Sequence, residues 1–235
     1  AEGQLEIDGF PAPDYVLADT DEEQHSRERS GRVSLRFDSD LLMLDAGWSA
    51  SAIAREYFDP SMDSTPYYRT DGSSRRADMR GRLRPSGPNL AFDFGLSRDW
   101  SQFDDEGTER DARLTGVHAL LGWYGDRITF AAGLRRDDHS TFGGAWTFGA
   151  NGGYRFAPGW RIRAGYGEGF KPPSLFQSSS ALYGNPGLQP ERSRAWDIGI
   201  EHGVRRRGTY LAVSAFRRDS RDLINYTCCS VERPF

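Results

Sequence analysis

The sequence predicts an all-β chain, an antiparallel transmembrane β-barrel segment of about ten strands. Three observations predict it. Apolar residues recur at every second position in run after run, which puts them on one face of a strand. Nearly every run is ten residues or longer, enough for a tilted strand to cross a bilayer, which takes about nine to eleven. The connections between runs alternate between tight and long. That rhythm trims one rim and elaborates the other, as in membrane barrels.

Strands are predicted near 25–37, 41–58, 73–84, 90–101, 110–123, 127–138, 145–156, 160–169, 193–203 and 209–221. The first carries Val33, Leu35 and Phe37 between Arg32, Ser34 and Arg36. The fourth sets Leu90, Phe92, Phe94 and Leu96 against Ala91, Asp93, Gly95 and Ser97, and the sixth alternates through Ile128, Phe130, Ala132 and Leu134. The seventh runs through Trp146, Phe148, Ala150, Gly152, Tyr154 and Phe156. The eighth places Trp160, Ile162, Ala164 and Tyr166 opposite Arg161, Arg163 and Gly165. Tight turns are expected at 38–40, 85–89, 125–126, 157–159 and 205–208, and longer polar loops at 59–72, 102–109, 139–144 and 170–192. The opening GQLEIDGFPAPDYVLADT reads as a segment between strands on the long-loop side. Aromatic residues near strand ends (Trp48, Trp100, Trp123, Trp146, Phe156, Trp160, Trp196) stand where interfacial girdles belong.

Composition narrows the class. Thirty Lys and Arg face 34 Asp and Glu, a net charge of -4 that argues against a polyanion such as nucleic acid. Mean hydropathy is low, at -0.67, yet aromatics make up 13% and glycine numbers 27. Disordered chains are poor in aromatics because they bury little. In a membrane barrel only alternate residues need be apolar, which reconciles the values. No run approaches the ~18 apolar residues of a spanning helix. The start AEGQLEIDGF has no signal-peptide pattern. The only cysteines, Cys228 and Cys229, are adjacent, a spacing that disfavours a bond between them.

The second half carries a composite motif. A strand ends in Gly169-Phe170-Lys171-Pro172-Pro173, and a long loop follows. The loop closes with Gly184-Asn185-Pro186-Gly187-Leu188-Gln189-Pro190-Glu191, and the next strand then opens. Pro172 and Pro173 cannot donate to a ladder and so end the strand, while Asn185-Pro186-Gly187 is turn chemistry and Pro190 holds Gln189 extended. This series resembles the central barrel of TonB-dependent outer-membrane receptors, and within them the cobalamin and siderophore branch. The likeness is strongest over 125–226 and rests on strand rhythm before that. It implies that 1–235 is part of a barrel of about 22 strands. It also implies that the plug domain and TonB box lie outside the sequence, and that further strands follow Tyr226. Phe170, Lys171, Pro172, Pro173, Asn185, Pro186, Leu188, Pro190 and Glu191 then form a shaped loop at the ligand entrance. The implied setting is the outer membrane of a Gram-negative bacterium. The implied partners are its lipid, TonB acting through the plug, and a corrinoid or ferric siderophore taken up actively. The resemblance brings no resident cofactor, catalytic residue or metal site.

Other readings weigh less. Asp137-Asp138-His139 invites the general-base chemistry of a small barrel protease such as an omptin, but consecutive strand residues point to opposite faces. A soluble β-rich binding module with this many long strands should show shorter, more evenly spaced loops. Asp104-Asp105-Glu106 and the acids from Asp19 to Glu23 offer oxygen ligands for calcium without a defined spacing, and read as solvated loop charge. Arg161, Arg163, Arg194, Arg205, Arg206, Arg207, Arg217, Arg218 and Arg221 read as residues of a wet interior or rim, able to steer an anion.

Overall fold

The computed structural model describes residues 2–9, 18–59, 65–85, 89–180, 184–204 and 207–225. Eleven strands in chain order make one antiparallel sheet in which each pairs with its sequence neighbours. They are β1 Glu2–Gly9, β2 Ala18–Asp38, β3 Leu42–Phe58, β4 Tyr68–Leu83, β5 Leu90–Asp105, β6 Thr108–Tyr124, β7 Ile128–His139, β8 Gly143–Ala157, β9 Trp160–Lys171, β10 Glu191–Val204 and β11 Arg207–Arg221. One short helix, α1 Leu175–Ser179, interrupts the connection from β9 to β10.

The ten predicted strands are all present, and an eleventh corrects the reading of the N-terminal segment. β1 pairs with the upper part of β2, from Glu2 opposite Arg27 to Ile7 opposite Glu22. The sheet also continues through sequence read as loop. β5 extends to Asp105 and β6 begins at Thr108, so most of 102–109 is ladder. Strand pairing needs only backbone groups, and it persists where both faces are polar and the alternation has vanished. The hairpin closes on Glu106 and Gly107, with φ of 51° and 86°. Two successive positive φ values define a turn whose twist matches the strands, and glycine is the residue that adopts them without strain. The Asp104 carboxylate accepts a 2.8 Å bond from the Gly107 amide, so this acid serves the turn.

Directly paired residues share a face of the sheet. The row Leu42, Leu83, Phe92, Leu121, Ala132, Ala150, Tyr166 and Trp196 crosses eight strands and is apolar throughout. The large side chains of this row stand exposed: Phe92 is 37% exposed, Leu121 45% and Trp196 47%. Among the described residues the buried apolar side chains are Tyr68 and four alanines. Two apolar faces do not meet, as they would in a soluble sandwich. One sheet turns a greasy band outward.

The upper edge of that band shifts along the register. On β3 it lies at Trp48, whose row continues through Ala77 to Arg98, Thr115 and Asp138. On β10 it lies at Trp196, whose row returns to β3 at Leu42, six residues below Trp48. Six residues of rise against seven strand spacings is a lean of about 30°. A level apolar boundary across strands leaning this much is the geometry of a barrel wall. Aromatic residues mark both edges. Trp48 meets Trp100 at 5.7 Å and Phe148 meets Tyr166 at 6.2 Å on one edge, and Phe156 meets Trp160 at 6.2 Å on the other.

The opposite face is charged and paired. Arg32 reaches Asp78 at 2.9 Å, Arg36 and Arg80 converge on Asp45, and Arg76 holds Asp99 at 2.9 Å. Arg82 pairs with Asp93, Arg135 with Asp137, Arg161 with Glu201, and Arg163 with both Asp197 and Glu201. A cavity on this face reaches from His118 on β6 to Arg218 on β11, so the sheet curves around it. Arginines 161 and 163 thus stand where the wet-interior reading put them. Arg194 and Arg217 instead face outward beside Glu168 and Asp219. Arg205 and Arg206 lie outside the described residues, as do Cys228 and Cys229.

Candidate ligand site on the concave face

The composite motif builds the site. β9 and β10 stay in register to Lys171 opposite Glu191, and the Lys171 ammonium donates to the Glu191 carboxylate at 3.2 Å. The Ile224 amide donates to the same oxygen at 3.2 Å. That backbone bond first, then Lys171, holds the Glu191 carboxyl below the usual glutamate range. The strand pair therefore ends in a charged clasp. Beyond it Pro172 and Pro173 leave the ladder, having no N–H to give.

Ser174 then caps α1. Its hydroxyl accepts from the Gln177 amide at 3.2 Å, and the Gln177 side chain accepts from the Ser174 amide at 2.9 Å. This reciprocal box holds a five-residue helix that propensity alone would not sustain. The loop returns at Gly184 and Asn185. Gly184 donates to the Ser180 carbonyl at 2.9 Å and Asn185 to the Gln177 carbonyl at 2.8 Å. A side chain on Gly184 would collide with the Ser180 backbone, so glycine is required by the close approach. The Asn185 side chain accepts from Gly187 at 2.9 Å and its carbonyl from Leu188 at 3.3 Å, closing the turn that Pro186 and Pro190 flank.

The loop does not stand above its own strands. It folds over the concave face until α1 touches β5 and β6. Phe176 meets Phe103 of β5 edge to face, with centroids 5.9 Å apart. Pro172, Pro173, Ser174, Leu175 and Phe176 form one wall of a cleft of about 760 Å³. Ile53, Arg55 and Tyr57 on β3, Arg76 on β4, Asp99 and Phe103 on β5, and His139 on β7 also line it. Arg76 is held by Asp99, whereas Arg55 has no carboxylate partner among the described residues. The cleft offers three aromatic rings, Tyr57, Phe103 and Phe176, a proline pair, and in Arg55 a cation without a carboxylate partner among the described residues.

The predicted site residues divide accordingly. Pro172 and Pro173 reach the cleft, Lys171 and Glu191 form its clasp, and Asn185, Pro186, Leu188 and Pro190 shape the return. Phe170 departs from the group. It lies on the outer face opposite Arg192, whose guanidinium stacks 5.5 Å from its ring. Sequence reasoning missed Phe176, Phe103 and Arg55. The Ser174-Leu175-Phe176-Gln177 spacing is itself a capping-box signal for α1.

Asp137 and His139 share a face, but each is engaged elsewhere. Asp137 is clamped by Arg135 at 2.6 and 2.7 Å. The His139 Nδ1 accepts from the Thr141 and Phe142 amides at 3.1 and 3.4 Å, and burial pushes its pKa down. The pair serves a strand and its turn. Among the described residues no group of three or more His, Cys, Asp or Glu is arranged to hold a metal ion. The Asp19 side chain lies outside them.

A model of the family "TonB dependent receptor-like, beta-barrel" matches residues 5–231. The chain belongs to that family. Solved receptors share its fold at low identity. The siderophore receptor PirA from Pseudomonas aeruginosa superposes with a TM-score of 0.73 at 17% identity, over 85% of this chain and 40% of that one. A ferric enterobactin receptor (PfeA) mutant from the same organism gives 0.72 at 18%, over 85% and 35%. The hemophore receptor HasR of Serratia marcescens gives 0.62 at 16%, over 85% and 40%. The chain spans less than half the length of these receptors. Membership accounts for the sheet's open meander as a stretch of TonB-dependent receptor wall, with the concave face toward the lumen.

Proposed function

We propose that this chain forms the central wall of an outer-membrane, TonB-dependent receptor that takes up a ferric siderophore. The observation that carries the reading is the β9–β10 loop, folded across the lumen face to close a cleft with Phe176 set against Phe103. Such a site suits a bulky anionic iron chelate. Aromatic rings and prolines take up its flat organic parts, and Arg55, which has no carboxylate partner among the described residues, supplies attraction for the negative charge. In the proposed cycle the ligand settles on this cleft from outside. TonB, acting on a plug domain supplied by the rest of the polypeptide, then opens the path. The chain's own contribution is a rigid wall and a shaped mouth, with no covalent chemistry. Solved receptors of like fold include PirA, described as a siderophore receptor in Pseudomonas aeruginosa and in Acinetobacter baumannii, and PfeA, described as a ferric enterobactin receptor, which supports the ligand class. The composite motif's likeness to cobalamin receptors favours a corrinoid as the second reading.

The test is equilibrium binding to the full-length receptor, with ferric enterobactin and cyanocobalamin as competing probes. The iron chelate should bind, and Arg55→Ala together with Phe176→Ala should weaken it by at least about tenfold, equivalent to about 1.4 kcal/mol. Binding of cyanocobalamin without the iron chelate would replace the siderophore reading by the corrinoid one.

A further inference from the structure

Arginines on the two faces of the sheet are treated differently. On the lumen face Arg32, Arg36, Arg76, Arg80, Arg82 and Arg135 each hold a carboxylate. On the outer face, immediately above the apolar band, Arg75, Arg98 and Arg113 are exposed and have no carboxylate partner among the described residues. They are gathered around one ring. Trp100 on β5 pairs across the sheet with Arg75 on β4 and Arg113 on β6, and the Arg98 guanidinium lies 5.4 Å from its centroid. Trp48 meets the same ring, and a shallow cleft of about 500 Å³ is lined by Trp48, Arg75, Trp100 and Arg113. Glu109 and Asp111 on β6 line the same cleft at its upper end, farther from the band than the arginines.

We infer that Arg75, Arg98 and Arg113 form a binding site for the phosphate-bearing headgroup of an anionic lipid, whose acyl chains lie along the band below. The chemistry is complementary at each level. Guanidinium groups match phosphate oxygens in pairs, and unpaired ones are not committed to an internal carboxylate. Tryptophan at the boundary offers an apolar body to the chains and a wet edge to the headgroup. Exposed Val117 and Leu96 continue the apolar surface directly beneath. A soluble anion would gain only the charge, whereas a lipid gains the charge and the band together. The inference rests on the outer-membrane placement proposed above.

The experiment uses the full-length receptor folded into phosphatidylcholine vesicles, with insertion scored by heat-modifiable mobility on gels. Retention of phosphatidic acid is then measured after extraction into detergent, by native mass spectrometry. The wild type should retain phosphatidic acid over phosphatidylcholine. The triple variant Arg75→Gln, Arg98→Gln, Arg113→Gln should insert normally and lose at least about nine-tenths of that retention. Arg127→Gln, at the opposite rim, should retain it. Inorganic phosphate at matched concentration should leave the lipid in place; displacement by it would overturn the lipid assignment, as would equal retention by the triple variant. Failure of the wild type to insert would instead defeat the membrane reading, so the two failures are distinct.

Discussion

Gly184 is a residue whose identity is set by contact. Its amide bonds the Ser180 carbonyl at 2.9 Å, and no room remains for a Cβ against that backbone. Gly184→Val should therefore push the return segment off α1 and open the cleft while leaving the strands paired. Siderophore affinity of the full-length receptor should fall roughly tenfold, about 1.4 kcal/mol, with unchanged heat-modifiable mobility; unchanged affinity would show that the loop's shape is not held there. His139 makes a pH prediction. Its Nδ1 accepts from the turn amides only when unprotonated, and burial lowers its pKa from the ordinary histidine value. Its support for the β7–β8 turn is therefore full above the ordinary value of about 6.5. It is lost as pH falls through the lowered folded value. The protection factor of the Thr141 amide, corrected for intrinsic exchange, should drop on acidification below that range. A flat profile would mean the imidazole is not the acceptor that closes the turn. Residue-scale detail was only partly legible in the sequence. Pro172, Pro173, Asn185 and Glu191 announced a loop with fixed exits. That Phe170 turns outward while Phe176 turns inward follows from strand register and from the fold-back of α1, and neither is written in a local motif.

At the scale of elements, alternation revealed the strands where one face is greasy and lost them where both are wet. Ile128 to Leu134 could be read directly because Thr129, Ala131 and Gly133 contrast with their neighbours. The stretch Gln102 to Glu109 could not, since Phe103 is its one apolar residue among polar neighbours and only backbone pairing marks the ladder. β1 was missed for a related reason: its alternation spans too few residues to stand out, and its pairing partner is the polar end of β2. The Glu106-Gly107 turn gives this level its test. Gly107 has φ of 86°, a region where a Cβ costs roughly 1–2 kcal/mol. Gly107→Ala should destabilise the β5–β6 hairpin by about that amount, read as faster amide exchange in residues flanking the turn with no change at the β9–β10 clasp. Equal exchange in both variants would contradict the turn assignment.

At the scale of the whole molecule, the missing apolar core is the informative feature. A soluble protein of this size hides its large apolar side chains, whereas here most of them stand exposed on one face in rows that follow the register. The other face spends its charge in pairs, most of them accessible to solvent, so they organise a wet lumen more than they stabilise it. An arginine placed at the middle of the band, Phe130→Arg, should cost about 2–4 kcal/mol of folding into bilayers. A substitution with no penalty would mean that this face does not meet lipid. The most direct measurement is a spin-label scan through 128–134, with single cysteines introduced into a full-length receptor carrying Cys228→Ser and Cys229→Ser and reconstituted in vesicles. Labels at 128, 130, 132 and 134 should be reached by oxygen from the bilayer, and those at 129, 131 and 133 by a water-soluble nickel chelate. Loss of that alternation, with all seven positions reporting the same phase, would contradict a wall that has lipid on one side and water on the other.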